Sequence, residues 1–220
     1  WPGPARSGIY HDSAASLKDQ WMYHAVADTI LANSLLRSLP EVDSNKVGLM
    51  GISWGGVITS TVIGIDSRFA FAIPTYGCGD LSKAQNQYGR SLGKNETYKQ
   101  VWDPMLRLKN AKMPTLWFSW PEDKHFPMNH FAACYKEVGG PYMVSLIPKL
   151  GHGHGPPWSR EDSYAFANSI VKDNGIWCQQ SSLKNQDDTV EVSFVSTKPL
   201  QQAVLVSTKG QGVTGLRSWT

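Results

Sequence analysis

The sequence lacks the features that would place the protein in several special classes. No apolar run approaches the roughly 20 residues that a membrane-spanning helix needs. The net charge is only +3 and is spread along the chain, so neither nucleic acid nor an anionic membrane is expected as a partner. There are three cysteines and no Cys-x-x-Cys spacing. Because the count is odd, at least one cysteine is unpaired within the chain, and the redox compartment stays open.

What remains is the composition of an ordinary globular protein, in a chain of 220 residues that suits one domain with an appendage. The chain opens with Trp1 rather than methionine, and we expect it to start inside a longer polypeptide. The absence of a signal peptide at this point therefore leaves the localisation open.

The motif around which the sequence is organised is Gly-Ile-Ser-Trp-Gly-Gly, at residues 51–56. A short apolar segment precedes it at 46–50 and another follows it at 57–63, so the order is strand, turn and helix. This is the context of a nucleophile elbow, a sharp turn that holds a serine hydroxyl exposed at its tip. The three glycines of the motif permit the close approach of backbone that the turn needs. We therefore predict that Ser53 is a nucleophile.

Strand-like and helix-like segments alternate around this motif. Buried strands are predicted at 46–50, 69–76, 114–120 and 142–147. Helices are predicted at 16–39, 57–64, 127–139 and 159–173. Such alternation predicts an α/β fold, with a parallel sheet covered by helices on both faces.

The pattern changes after Gly175. Segments 190–195, 202–207 and 213–219 alternate apolar and polar residues, with turns between them, and this predicts an antiparallel β unit. We therefore divide the chain into an α/β catalytic domain at 1–175 and a β-rich C-terminal extension at 176–220.

A serine hydroxyl becomes nucleophilic only when a base takes its proton, and the base needs a carboxylate to fix its tautomer. In folds with this elbow the acid and the histidine follow the serine in that order, in loops at the carboxyl ends of strands. The predicted strand at 114–120 leads into Pro-Glu-Asp-Lys-His-Phe-Pro. We predict Asp123 as the acid, with the adjacent Glu122 as the alternative.

Two histidines compete for the role of base. His152 follows the strand at 142–147 most closely and is favoured, while His154 is the alternative. The His-Gly-His sequence could also form half of a metal site, completed by His125 or His130. No helical His-x-x-x-His or cysteine pair supports that interpretation.

The negative charge that develops on the substrate oxygen needs fixed hydrogen-bond donors. One is predicted to be the backbone N–H of Trp54, the residue after the nucleophile. The second donor normally comes from a loop far upstream, and no such loop lies in this sequence.

Taken together, these motifs resemble the catalytic half of an α/β-hydrolase, nearest to the branch of acetyl xylan esterases, dienelactone hydrolases and prolyl-oligopeptidase-like enzymes. The resemblance rests on residues 40–48 leading into 51–56, on the Asp123 loop, and on Gly-His-Gly-His-Gly-Pro-Pro-Trp at 151–158. It covers about residues 15–175 and implies a partial α/β-hydrolase fold. The segment after residue 198 is similar to the start of a β-sandwich that follows such domains in some bacterial proteins.

The resemblance implies a serine esterase that acts on an ester of a small molecule or carbohydrate, without a metal or organic cofactor. Ester rather than peptide rests on the resemblance alone, because the Ser-His-Asp set would serve either bond. Residues 77–110 lie where lids and acyl pockets occur in this fold, so we expect them to shape specificity. Three aromatic residues are predicted at the rim of the active site, either as substrate contacts or as plain packing: Tyr76, Trp120 and Trp158.

Two alternatives stay open. One is a peptidase of the prolyl-oligopeptidase type, which would need a site for the amino terminus of its substrate. The other is a truncated hydrolase that keeps the Ser-His-Asp set but only binds or assembles. The missing oxyanion donor argues for this second alternative, since losing one donor costs about two to three powers of ten in rate.

The resemblance also implies that the chain holds only the last strands of a larger sheet. The strand at 46–50 would then be an open apolar edge, which favours aggregation. We expect this edge to be covered by a partner, by a second copy of the chain, or by a section of the natural protein that this sequence lacks.

Overall fold

A computed structural model describes residues 11–173, 175–210 and 219 of the chain. Its centre is a parallel sheet with the strand order β1-β2-β3-β4. Its strands are β1 (Gly48–Ile52), β2 (Phe71–Thr75), β3 (Thr115–Ser119) and β4 (Tyr142–Leu146). Each lies within or close to a predicted strand, and the predicted α/β class with a parallel sheet is confirmed.

Helices connect the strands, as parallel pairing requires. They are α1 (Trp21–Ser38), α2 (Trp54–Val62), α3 (Gln87–Leu92), α4 (Met128–Glu137), α5 (Gly155–Trp158) and α6 (Asp162–Asp173). The first begins at Trp21, later than predicted, because Ser16 to Gln20 form a short 3-10 turn. The side-chain carboxylate of Asp12 accepts a hydrogen bond of 2.6 Å from the Trp21 N–H at that start.

The core lies around the two inner strands. All five residues of β3 are buried, as are four of the five in β2. The largest fully buried side chains include Trp117, Phe118, Phe126, Phe131 and Phe166. Because the inner strands are fixed in this way, the loops that follow their carboxyl ends have a rigid base.

Strand β1 forms one edge of the sheet. It pairs with β2 on one side, and within the described part of the chain no strand pairs with its other side. All five of its residues are half-buried. The expectation that this edge is covered by a partner or a second copy remains a prediction.

The C-terminal part contains an antiparallel hairpin of β5 (Cys178–Gln186) and β6 (Thr189–Ser196). The second strand includes the predicted segment 190–195. The strand predicted at 202–207 is wrong, because residues 201–210 have no regular secondary structure. An alternating pattern forms a strand only where a second strand satisfies its backbone, and none lies beside this segment among the described residues. All but residue 219 of the strand predicted at 213–219 lies outside the described residues.

The polar segment between β2 and β3 is not an open loop. Besides α3, it contains short 3-10 and π-helical turns between residues 81 and 110. Across the residues that the structure describes, no helix has the length and apolar character needed to cross a membrane.

Candidate active site

The turn between β1 and α2 has the strained geometry of a nucleophile elbow. Ser53 has φ 59° and ψ −121°, in a region that residues with a side chain rarely adopt. The backbone N–H of Ser53 donates to the carbonyl oxygen of Thr75 at 3.0 Å, which fixes the turn to the end of β2. The structure therefore holds Ser53 at the carboxyl edge of the sheet.

Glycines allow the backbone to pack closely at this turn. A Cβ on Gly51 would lie 2.1 Å from the carbonyl oxygen of Gly55, and one on Gly56 would lie 2.6 Å from that of Thr75. A Cβ on Gly77 would lie 2.4 Å from the carbonyl oxygen of Ser53. Gly55 has open space at the same position, so the close approach requires only two of the motif's three glycines, and it also requires Gly77.

His152 lies between the serine and a carboxylate. Its Nε2 is 2.9 Å from the Oγ of Ser53, and its Nδ1 is 3.0 Å from Oδ2 of Asp123. The three side chains come from the loops after β1, β3 and β4, and parallel strands bring these loops to one edge of the sheet. The structure therefore brings together the three residues that the sequence predicted as nucleophile, acid and base.

Asp123 is fully buried and its second oxygen is also occupied. Oδ1 accepts hydrogen bonds from the backbone N–H groups of His125 at 2.8 Å and Phe126 at 3.0 Å. These bonds orient the carboxylate so that Oδ2 faces His152. Glu122 turns elsewhere, since its Oε2 accepts from the backbone N–H of Lys149 at 3.3 Å. In the structure it is Asp123 that contacts His152.

The structure also shows where the alternative base and the candidate metal ligands lie. His154 is exposed at the start of the short helix α5. His130 lies apart, with its Nδ1 3.2 Å from Oδ2 of Asp80. A metal half-site would need a free nitrogen on His152, and both ring nitrogens of His152 already have partners.

The rim position predicted for Tyr76 is wrong. Its side chain is fully buried, and its ring centroid lies 4.7 Å from that of His152. The hydroxyl donates to the carbonyl oxygen of Gly151 at 2.8 Å. Tyr76 directly follows β2 with φ 62°, and burial raises the pKa of its hydroxyl to about 12, with the charge of Asp123 adding to the effect. The sequence predicts an aromatic residue at the end of a strand, but it does not predict the left-handed backbone conformation at that residue.

The two tryptophans predicted at the rim differ in exposure. Trp158 is half exposed and its ring lies 6.5 Å from that of Tyr164. Trp120 is half-buried and packs against the hydrophobic core directly after β3. A role of either in binding substrate remains a prediction.

A small cavity lies beside Trp54, the residue that follows the nucleophile. Much of its wall comes from the segment between β2 and β3, including Leu92, Tyr98 and Trp102. Asp12 and Gln20 also line it. The sequence favours a role in specificity for this segment, but it does not identify these lining residues, since they come from separate short helices.

Comparison with known proteins places the chain among hydrolases of this fold. A sequence model of the prolyl oligopeptidase family matches residues 7–173. No curated protein matches the chain significantly in sequence.

Several solved structures share the fold of this chain. Acetyl xylan esterase 1 from a Thermoanaerobacterium species matches with a TM-score of 0.63 and 18% identity, over 77% of this chain and 60% of that one. An acetyl xylan esterase from a Paenibacillus species matches with a TM-score of 0.63 and 22% identity, over 77% and 59%. A puromycin-hydrolyzing peptidase from Mycobacterium tuberculosis matches with a TM-score of 0.60 and 22% identity, over 70% and 26%.

These likenesses confirm the predicted partial α/β-hydrolase fold. The matched part of the chain spans only about 60% of the length of the two esterases.

Proposed function

The chain belongs to the prolyl oligopeptidase family of serine hydrolases, and on that premise we propose that it cleaves carboxylic esters through Ser53, His152 and Asp123. The observation that carries this proposal is the unbroken set of hydrogen bonds from Ser53 Oγ through the imidazole to the buried carboxylate. A strained serine, an imidazole within reach and an oriented acid are the parts that nucleophilic acyl transfer requires.

In the proposed reaction, Ser53 Oγ attacks the acyl carbon while His152 Nε2 takes the hydroxyl proton. The imidazolium that forms faces Asp123, whose carboxylate holds the Nδ1–H. His152 then gives its proton to the leaving alcohol, and the acyl group stays on Ser53. Water then attacks the acyl carbon of the acyl-enzyme while His152 takes its proton. His152 returns that proton to Ser53 Oγ as the carboxylic acid leaves. No step of this chemistry calls on a metal or an organic cofactor.

The oxyanion of the tetrahedral intermediate is proposed to bind the backbone N–H of Trp54. Trp54 is the first residue of α2, so its amide lies at the positive end of the helix dipole. Fixed donors of this kind often contribute more than any other single effect to the rate of acyl transfer.

We propose that the cavity beside Trp54 receives the group that determines specificity. Aromatic walls from Tyr98 and Trp102 suit a compact apolar group. The Gln20 side chain helps to hold this wall, since its Oε1 accepts a hydrogen bond of 2.7 Å from Nε1 of Trp102. Trp158 is exposed at the end of α5, the helix that follows the loop carrying His152 (residues 147–154, the base loop), and is placed to stack on a sugar ring or another flat group of the substrate. The proposed substrate class is therefore an ester of a small molecule or carbohydrate.

A peptidase is the second candidate, favoured by the family that the chain matches and by the hydrogen-bonded set, which serves amides as well. A non-catalytic module, which would keep the same three side chains without turning over a substrate, is the third. The candidates differ in what they do to a matched pair of substrates with one acyl group, a p-nitrophenyl ester and a p-nitroanilide.

We expect hydrolysis of the ester and its loss in Ser53→Ala, with the anilide cleaved far more slowly. Efficient Ser53-dependent cleavage of an N-acylpeptidyl anilide would instead assign a peptidase, because serine peptidases also cleave activated esters and only cleavage of the amide separates the two classes. No turnover of either by folded protein would assign the non-catalytic module.

A further inference from the structure

A second imidazole lies against the proposed base. The ring centroid of His125 is 4.6 Å from that of His152, with 44° between the planes. His125 belongs to the loop between β3 and α4 that carries Asp123 (residues 120–127, the acid loop), where its backbone N–H donates to the Asp123 carboxylate. The proposed reaction assigns no role to its side chain.

The start of α3 holds this ring in place. Nε2 of Gln87 lies 2.7 Å from Nδ1 of His125. The side-chain amide of Asn86 donates to the carbonyl oxygens of both Lys124 and His125 at 2.9 Å. With the Gln87 amide in this orientation its N–H donates to Nδ1 of His125, which matches a neutral ring with its proton on Nε2.

The surroundings of His125 disfavour a positive charge on it. Burial lowers the pKa of its imidazole, and the cationic form of His152 lowers it further, while the Asp123 carboxylate acts in the opposite direction. Among the described residues, the titratable and polar groups shown to act on the ring are His152 from the loop after β4, Asp123 from the loop after β3, and Gln87 and Tyr88 from α3.

The reaction proposed above creates a positive charge beside this ring. When Ser53 attacks, its proton moves to Nε2 of His152, and the imidazolium forms within ring contact of His125. A neutral His125 can pack against that cation. A protonated His125 would place two positive charges in contact, and charges this close repel strongly in a partly buried site.

We propose that His125 is a positioning residue that controls the base by its own protonation state. Neutral, it packs on His152 and leaves the base free to accept a proton; protonated, it opposes formation of the imidazolium. The inference rests on the proposed function, since it concerns the same reaction. It predicts that activity is lost toward acid pH by protonation of two coupled imidazoles rather than one.

The test is the pH dependence of the rate at which a fluorophosphonate probe labels the protein between about pH 4.5 and 8. If one protonation controls the acid side of the pH–rate profile, the labelling rate there falls by at most about tenfold per pH unit. We expect the wild type to fall more steeply than this at the acid end, and His125→Phe, which keeps a flat ring without a charge, to show a one-proton limb. His154→Phe is the matched control and is expected to behave as the wild type, because His154 is exposed.

Tryptophan fluorescence at each pH establishes that the proteins stay folded, and His125→Gln replaces the phenylalanine variant if that one does not fold. A one-proton limb in the wild type, or a two-proton limb that survives the loss of His125, would overturn the proposal while leaving the serine hydrolase intact. A wild type that is not labelled at any pH would contradict the proposed function itself, and the role of His125 would fall with it.

Discussion

The hydroxyl of Tyr76 donates a hydrogen bond of 2.8 Å to the carbonyl oxygen of Gly151, the residue that precedes His152. The two residues follow β2 and β4, which are separated in the sheet by β3. The bond therefore ties the base loop to the centre of the fold across a strand. The ring of Tyr76 also lies under the imidazole of His152, at 4.7 Å between centroids.

Replacing Tyr76 by phenylalanine removes this bond and keeps the ring. We expect kcat on an ester substrate to fall by about tenfold with KM little changed, because a base loop held less firmly places His152 less accurately. The free energy of unfolding should fall by about 1 kcal/mol, the usual loss for one hydrogen bond. Tyr164→Phe is the control, since Tyr164 is half exposed on α6. Equal kinetics for the two variants would show that the bond to Gly151 has no part in positioning the base.

The choice of acid can be tested with two adjacent residues. Asp123→Asn should lower kcat by about 10⁴, because an amide cannot hold His152 in the tautomer that accepts the serine proton. Glu122→Gln changes the neighbouring carboxylate in the same way and should leave kcat nearly unchanged, since Glu122 contacts the amide of Lys149 instead. Steady-state kinetics of both variants measure this, and a larger loss in Glu122→Gln would show that the acid was misassigned.

The sequence was sufficient to predict that Ser53, Asp123 and His152 lie together, because each follows the carboxyl end of a strand. Once the strands are parallel neighbours, their loops meet at one edge, and few residue types there can do acid–base chemistry. The position of Tyr76 could not be predicted in this way. It depends on a left-handed backbone at a residue other than glycine, which tertiary contacts impose and local sequence does not signal.

The C-terminal strands show the same limit. Strand β5 has a polar sequence, Cys-Gln-Gln-Ser-Ser-Leu-Lys-Asn-Gln, and no apolar alternation marks it. It forms because β6 satisfies its backbone. Segment 202–207 has the alternation but no strand beside it among the described residues, so it stays irregular. Pattern alone therefore does not decide which exposed segments pair.

Asp66 links α1 to the segment before β2. Its carboxylate accepts hydrogen bonds from Asn33 at 3.0 Å and from the guanidinium of Arg68 at 2.7 and 2.8 Å. The bond from Arg68 is the main cause that lowers the pKa of Asp66 from 3.8 to about 2. Because the folded pKa lies below the unfolded value, the carboxylate stabilises the fold above pH 3.8, and this contribution is lost as the pH falls toward 2.

We therefore expect Asp66→Asn to lower the free energy of unfolding by about 1–3 kcal/mol at neutral pH. The difference from the wild type should shrink as the pH is lowered below about 4, which urea unfolding at a series of pH values would measure. Asp43→Asn is the control, because Asp43 and Lys46 form an exposed ion pair of 3.5 Å that should contribute little. A difference that does not change with pH would contradict the role given to the Asp66 carboxylate.

The edge of β1 that no strand of the described residues pairs with predicts association. A strand with unpaired backbone groups along one side is a template for another strand. Sedimentation velocity over a dilution series should therefore show a species larger than the monomer that dissociates on dilution. A strictly monomeric protein at all concentrations, well folded by circular dichroism, would contradict the prediction that a second copy covers this edge.

The central claim is that Ser53 is an activated nucleophile. Intact mass spectrometry after reaction with a fluorophosphonate probe, with Ser53→Ala as the control, tests it most directly. The wild type is expected to gain the mass of one adduct and the variant none, because His152 lies within 2.9 Å of the Ser53 hydroxyl to take its proton. Folded wild-type protein that gains no adduct, or an adduct that persists in Ser53→Ala, would contradict the claim.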